Sequence, residues 1–162
     1  MKKRMQAGFT LVELIVVIVI LGILAAVALP KFMGLEKEAR IASVRSMGGT
    51  MLSAANMAHG IFMAQNGTNG GAGITINGVP VVFAQGYPNN ASIRLLVQST
   101  EGFGGTNNTF TKLGATTNNC WVRYNQATIA GGVVTPPTLS YQSGTMSAAN
   151  EATINAALRT QC

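Results

Sequence analysis

Aspartate is absent from this chain. Its 162 residues hold five acidic side chains, all Glu, together with one His, two Cys and one Trp. A calcium site built from several carboxylates lacks its material, since that ion takes about six to eight oxygen ligands. A single histidine, His59, with no Cys or Asp near it in sequence, makes a poor metal site. No nucleophile–base–acid constellation and no phosphate-binding loop can be assembled from what is present. The expectation is therefore a protein that is not an enzyme and carries no cofactor and no metal. Charge is scarce too. Charged residues make up 10% of the chain, against about 25% in an ordinary soluble domain.

The charge that exists is lopsided. Eleven Lys/Arg give a formal net charge of +6 and a pI near 9.8. Three of the eleven are Lys2, Lys3 and Arg4, so a chain without residues 1–8 carries +3. The remaining cations are scattered and form no basic stripe on a helix, which argues against a specific nucleic-acid partner.

What the chain has in quantity is apolar sequence near its start. Residues 9–29 read FTLVELIVVIVILGILAAVAL, with Glu13 the one charge among them. As a helix this run is about 32 Å long, which matches a bilayer hydrocarbon core of about 30 Å. A carboxylate in such a run costs free energy and marks a functional residue whose partner should be named. Two processing readings compete. Ala26-Val27-Ala28 fits the small-x-small pattern of an ordinary signal peptidase, which would leave a mature chain starting at Leu29. That reading gives Glu13 no purpose.

The other reading does. Gly8-Phe9-Thr10-Leu11-Val12-Glu13, preceded by a basic leader and followed by the apolar run, resembles the type IV prepilin signature. The resemblance implies cleavage between Gly8 and Phe9 by a prepilin peptidase, N-methylation of Phe9, and retention of the apolar segment. It implies that Glu13 pairs with the Phe9 amine of a neighbouring subunit. It also implies that residues between Gly22 and Pro30 lose their helix on assembly. A simple kink at Pro30 is the competing reading, and both stay open. Pro30-Lys31-Phe32, Ala39-Arg40 and Ala54-Ala55 resemble the mannose-sensitive haemagglutinin (MSHA) branch of these pilins. Gly86-Tyr87-Pro88 and residues 120–124 fit that branch less specifically.

Helical periodicity continues beyond the apolar run. Ile41, Val44, Gly48, Met51, Ala55, Ala58 and Phe62 recur at spacings of three and four, which predicts one face of an amphipathic helix. One helix is expected over about residues 10–65. His59 is expected to serve a core or interface. The methionines at 33, 47, 51, 57 and 63 are expected to pack rather than react.

Beyond residue 65 the chain turns to Gly, Asn and Thr, which favour turns and short strands. Residues 66–73 read as a connector. Residues 74–83 read as a hairpin around Asn77-Gly78, with Pro80 placing its strand at an edge or at a position that needs no N–H. Asn90 is expected to cap a short helix over residues 91–98. Residues 101–119 read as loop. Strands are expected at 120–124, 128–135 and 138–142, with a turn or bulge at Gly131-Gly132. Residues 147–159 read equally as a helix or as an extended edge. Cys120 and Cys162 are expected to form a disulfide. The matches to the glycosylation acceptor pattern at Asn66, Asn90 and Asn107 are what an Asn/Thr-rich chain gives by chance.

The expected fold is α+β. One long N-terminal helix, its first half transmembrane, packs on a small antiparallel head. Residues 1–8 are the leader, 9–29 the membrane and filament-core helix, and 30–65 its amphipathic half. Residues 66–162 are the head, forming one domain with 30–65. The resemblance implies a homo-oligomeric helical filament on the cell surface, serving adhesion and motility. Its implied partners are the inner membrane, the peptidase, an assembly platform with its ATPases, and a host or abiotic surface. The bacterial inner membrane would hold the precursor, with the head in the periplasm. A type II secretion pseudopilin or a minor pilin is the near alternative, and a secreted protein with an ordinary signal peptide the distant one.

Overall fold

The computed structural model describes residues 9–70, 73–115, 120–141, 144–145 and 151–162. The first element, α1, spans Leu11–Ala64. A hairpin follows from β1 (Ile74–Ile76) and β2 (Val79–Val81), then a second from β3 (Phe83–Ala84) and β4 (Tyr87–Pro88). A single helical turn, α2 (Ile93–Leu96), leads to β5 (Phe103–Gly104), β6 (Thr109–Lys112) and β7 (Trp121–Asn125). Next come β8 (Thr128–Ala130), β9 (Val133–Thr135), β10 (Thr138–Tyr141) and β11 (Gly144–Thr145). The last element is α3 (Glu151–Gln161). The five-stranded sheet has the order β11-β10-β7-β6-β5 and is antiparallel throughout. The chain divides into two compact units, one ending at Lys37 and the other running Glu38–Cys162, and α1 passes through the division.

In the second unit the periodicity of the sequence becomes a buried stripe. Ile41, Val44, Gly48, Met51, Ala55, Ala58 and Phe62 are all buried. The i, i+3, i+4 spacing places them on one face, and that face lies on the sheet. Ile41, Val44, Met51 and Ala55 share a core with Phe110, Val122, Tyr124, Leu139 and Tyr141 from the strands. Ile154, Leu158 and Cys162 close the same core from α3. A smaller cluster of Ala58, Phe62, Val81 and Phe83 sits nearer the end of α1. The fold class is thus α+β, with a long N-terminal helix whose later half packs on a small antiparallel sheet.

At Gly48 the helix lies close against the sheet. A Cβ there would lie 2.5 Å from Tyr141 Oη and 2.8 Å from Leu139 Cδ1. Both side chains are themselves buried, so the missing methyl is what lets the two layers meet.

The hairpin expected at Asn77-Gly78 is present, with Ile76 opposite Val79. Both turn residues have positive φ, 50° and 81°, the type I′ geometry that Asn-Gly favours. Pro80 lies in a two-stranded pair, where a missing N–H costs little.

Several expectations need correction. Residues 103–104 and 109–112, read as loop, are strands β5 and β6 of the main sheet. Their brevity hid them, because Gly102, Gly105 and Asn107 all take positive φ around them and dominate the local composition. Phe110, fully buried, was the residue that betrayed a strand. The end of the expected loop, residues 116–119, lies outside the described residues. Asn90 does not cap α2. Its Oδ1 accepts a bond from the Gln126 N–H, and Gln126 Oε1 accepts one from the Asn90 N–H. The neighbouring Asn89 makes the turn, accepting at Oδ1 from the Ser92 N–H. Of the turn and the bulge expected at Gly131-Gly132, the turn forms, with both glycines at positive φ, and it divides residues 128–135 into two paired strands. At the C-terminal end the helix is what forms. Ile154 and Leu158, four residues apart, are both buried, so the amphipathic spacing carried the answer. Residues 147–150 of that expected segment lie outside the described residues.

Candidate functional site

The start of α1 is built by two side chains. Thr10 immediately precedes the first helical residue, and its main-chain O accepts from the Leu14 N–H at 3.3 Å. Thr10 Oγ1 accepts from the Glu13 N–H at 3.3 Å. Glu13 Oε2 accepts in return from the Thr10 N–H at 2.8 Å and from the Thr10 hydroxyl at 2.9 Å. This reciprocal pattern is a capping box, which satisfies otherwise orphaned helix-start donors. It also sets a negative side chain at the positive end of the helix dipole. The role of Thr10 was missed in the sequence, although Thr-x-x-Glu before an apolar run is the recognised signature of this cap.

Glu13 is therefore turned back towards the N-terminal end of its own helix. Phe9 lies one residue before the cap, with its ring 91% exposed. The structure brings Thr10 and Glu13 together at this end and sets Phe9 next to them in the chain. Residues 1–8, Gly8 included, lie outside the described residues.

Past Glu13 the helix surface carries no charge until Lys31. Every large apolar side chain from Leu11 to Leu29 is exposed. The most apolar 18-residue window has a mean hydropathy of 3.1, none of it buried. By length and composition α1 suffices to cross a bilayer. Gly22 sits in open space, with nothing within 4 Å of where a Cβ would be. Pro30 lies inside α1. Its ring nitrogen offers no hydrogen to the preceding turn, yet the residues between Gly22 and Pro30 are helical here.

Away from this end the remaining candidates hold the head together. Cys120 and Cys162 form a disulfide, with their Cα atoms 4.7 Å apart. It ties the end of α3 to the start of β7, and the Arg40 guanidinium donates to the Cys162 main-chain oxygen at 3.2 Å. His59 stacks on Tyr87, ring centroids 4.1 Å apart and nearly parallel. Its Nδ1 donates to the Gly86 carbonyl at 2.8 Å. This is an interface role inside the head, fixing the Gly86-Tyr87-Pro88 turn on α1. Met47 and Met51 pack in the core, whereas Met57 and Met63 are exposed. The side chain of Met33 lies outside the described residues. No group of three or more His, Cys, Asp or Glu able to hold a metal occurs among the described residues.

Residues 3–29 match the family described as the prokaryotic N-terminal methylation motif. The type II secretion system core protein G of Aeromonas hydrophila is 59% identical over 39 residues, 24% of this chain and 27% of that protein. The fimbrial protein EcpC of Eikenella corrodens is 37% identical over 81 residues, 48% of this chain and 52% of its own length. The type IV major pilin protein PilE of Neisseria gonorrhoeae is 39% identical over 69 residues, 41% of each chain. The matches thus span about a quarter to a half of these relatives' lengths. No solved structure gives a significant match. These relatives are named as a secretion-system core protein, a fimbrial protein and a major pilin. The chain is a homologue of type IV pilin, pseudopilin and fimbrial proteins that carries the prepilin methylation motif at its N-terminus.

Proposed function

We propose that the chain is the precursor of a structural subunit of a type IV pilus, most like the MSHA branch. Residues 1–8 are its leader. Cleavage between Gly8 and Phe9 exposes an amine that is then methylated. Residues 9–29 anchor the subunit in the bacterial inner membrane, with the head in the periplasm, and later form the filament core. Residues 30–65 carry the head built from 66–162. A prepilin peptidase, a platform protein and ATPases act on it, since this chain has no phosphate-binding loop. The finished filament adheres to surfaces and serves motility.

The observation that carries this reading is Glu13. It is the one carboxylate on an otherwise uncharged, exposed apolar helix surface, and it is aimed at the end where the new amine would appear. In an apolar filament core an ammonium from a neighbouring subunit would offset its charge. Hydrophobic burial changes little between lipid and such a core, so packing and this pair must supply the specificity. The stretch from Gly22 to Pro30 is proposed as the segment that lengthens on assembly, because it combines a weak helix former with a missing hydrogen bond.

The test is filament imaging of cells making Glu13→Ala or Thr10→Ala. Glu13→Ala is expected to abolish filaments. Thr10→Ala, which removes the cap and keeps the carboxylate, is expected to lower their yield without abolishing them. Abundant filaments from Glu13→Ala would overturn the pairing.

A pseudopilin of a type II secretion system is the second reading, favoured by the 59% identity to a core protein G. The acid-poor head speaks for the pilus. Glu101 and Glu151 are the acidic residues after α1, too few for the calcium site that the major pseudopilin resemblance implies.

A further inference from the structure

Three Asn-Gly pairs lie close together in the chain, at 66–67, 69–70 and 77–78. In such a pair the glycine nitrogen can reach the side-chain amide before it, because glycine has no side chain to shield that nitrogen and rotates freely. The glycine nitrogen gives up its N–H proton and bonds to the Asn Cγ. The Cγ–N bond of the amide breaks, and ammonia leaves with that proton, closing a five-membered succinimide. Water then adds at either ring carbonyl and breaks one of its two C–N bonds. Opening at one carbonyl gives Asp. Opening at the other leaves the chain running through the side-chain carbon, as isoaspartate. The sum is amide plus water to carboxylate plus ammonium, with no oxidant or reductant.

The fold treats the three pairs differently. The Gly67 N–H donates to the Phe62 carbonyl at 3.0 Å and closes the end of α1. A Cβ at Gly67 would lie 2.5 Å from Phe62 Cδ2 and 2.7 Å from Ile74 Cδ1, so that residue is packed in on its side. The Gly70 N–H donates to the Phe83 carbonyl at 2.9 Å. Asn69 Oδ1 accepts from the Gly86 N–H at 2.7 Å, so its amide is held as well. Asn77 and Gly78 are both exposed. Among the described residues no hydrogen bond holds the Gly78 N–H or the Asn77 amide. Nothing lies within 4 Å of where a Gly78 Cβ would be.

The closed turn, with φ of 50° and 81°, must rotate at Asn77 before the nitrogen can attack. That rotation is the least costly of the three. The strands β1 and β2 have three residues each and form a two-stranded sheet of their own. Such a pair is marginal in isolation, and its tip opens by local fluctuation. Freeing Gly67 undoes the end of a helix, and freeing Gly70 and Asn69 breaks two bonds to the β3–β4 hairpin.

We propose that Asn77 is a site of spontaneous modification, converted through a succinimide with Gly78 to Asp and isoaspartate, while Asn66 and Asn69 are spared. The product is the first aspartate in a chain that has none. Asn77 lines a hollow of about 190 Å³ together with Met57, Ile76, Val79 and Leu95, and no lining residue is charged. The new carboxylate therefore arises on the wall of an uncharged hollow. Isoaspartate also adds a backbone atom to a two-residue turn that sets Ile76 opposite Val79, and hairpin register depends on loop length.

The test holds the full chain in detergent at mildly alkaline pH, folded and, in parallel, in denaturant. Peptide mapping by mass spectrometry, with isoaspartate separated from Asp by chromatography, follows each Asn over time. In denaturant the three pairs should convert at similar rates, since each Asn has the same following residue. In the fold Asn77 should convert about tenfold or more faster than Asn66 and Asn69, the ratio that about 1.4 kcal/mol of extra opening cost gives. Equal rates at the three sites in the fold, or Asn66 or Asn69 ahead of Asn77, overturn the proposal. An Asn77 that stays intact in the fold while the denatured chain converts overturns it too.

Discussion

Thr10 and Glu13 form one short motif that the proposed subunit would use in two states. In the isolated chain the carboxylate closes a capping box on its own helix start. In a filament the same oxygens would be available to an amine brought from another copy. The sequence made Glu13 conspicuous because a charge interrupts an apolar run. It left Thr10 unremarked, since a threonine there disturbs no hydropathy pattern. Tyr124 and Tyr141 were equally silent. Both are buried in the head core, and the Tyr124 hydroxyl donates to the Pro88 carbonyl at 2.9 Å. Burial raises the pKa of both phenols above the ordinary value, a shift opposed at Tyr141 by the charge of Arg45. Folding thus favours the neutral phenol. Its contribution is fully present below about pH 10 and is lost as pH rises through the folded values. In detergent-solubilised protein, tyrosinate absorbance from these two residues should appear together with loss of the fold. Their titration near pH 10 in the intact fold would contradict this burial.

Among the elements, α1 and the Asn77-Gly78 hairpin were the most legible. Each has a local code, the first a spacing of three and four, the second a turn that only certain residues accept. The strands β5 and β6 were not legible, because strands of two and four residues lie within reach of their flanking glycines and take their stability from the rest of the sheet. Asn89 and Asn90 show the same limit at a turn, as both are Asn and only the fold decides which one accepts from the Ser92 N–H. The packing of α1 on the sheet yields a prediction. Gly48→Val pushes two methyl groups towards Tyr141 and Leu139, which are buried and have little room to yield. Better helix propensity will not compensate for the clash, and a loss of about 1–3 kcal/mol is expected from overpacking. Denaturant unfolding of the full chain in detergent measures it, and unchanged stability would show that the layers are not in close contact at Gly48.

For the molecule as a whole, the chain joins an apolar helix start, with Glu13 its one charge, to a disulfide-tied head of short strands. Residues 3–29 match the N-terminal methylation motif, and the match to the fimbrial protein EcpC covers 48% of this chain. The central claim is that the apolar helix is kept rather than discarded, and the mass of the mature protein tests it most directly. Mass spectrometry of the chain isolated from cells should find a methylated Phe9 at the N-terminus, with residues 1–8 gone. A mature chain beginning at Leu29 would contradict it.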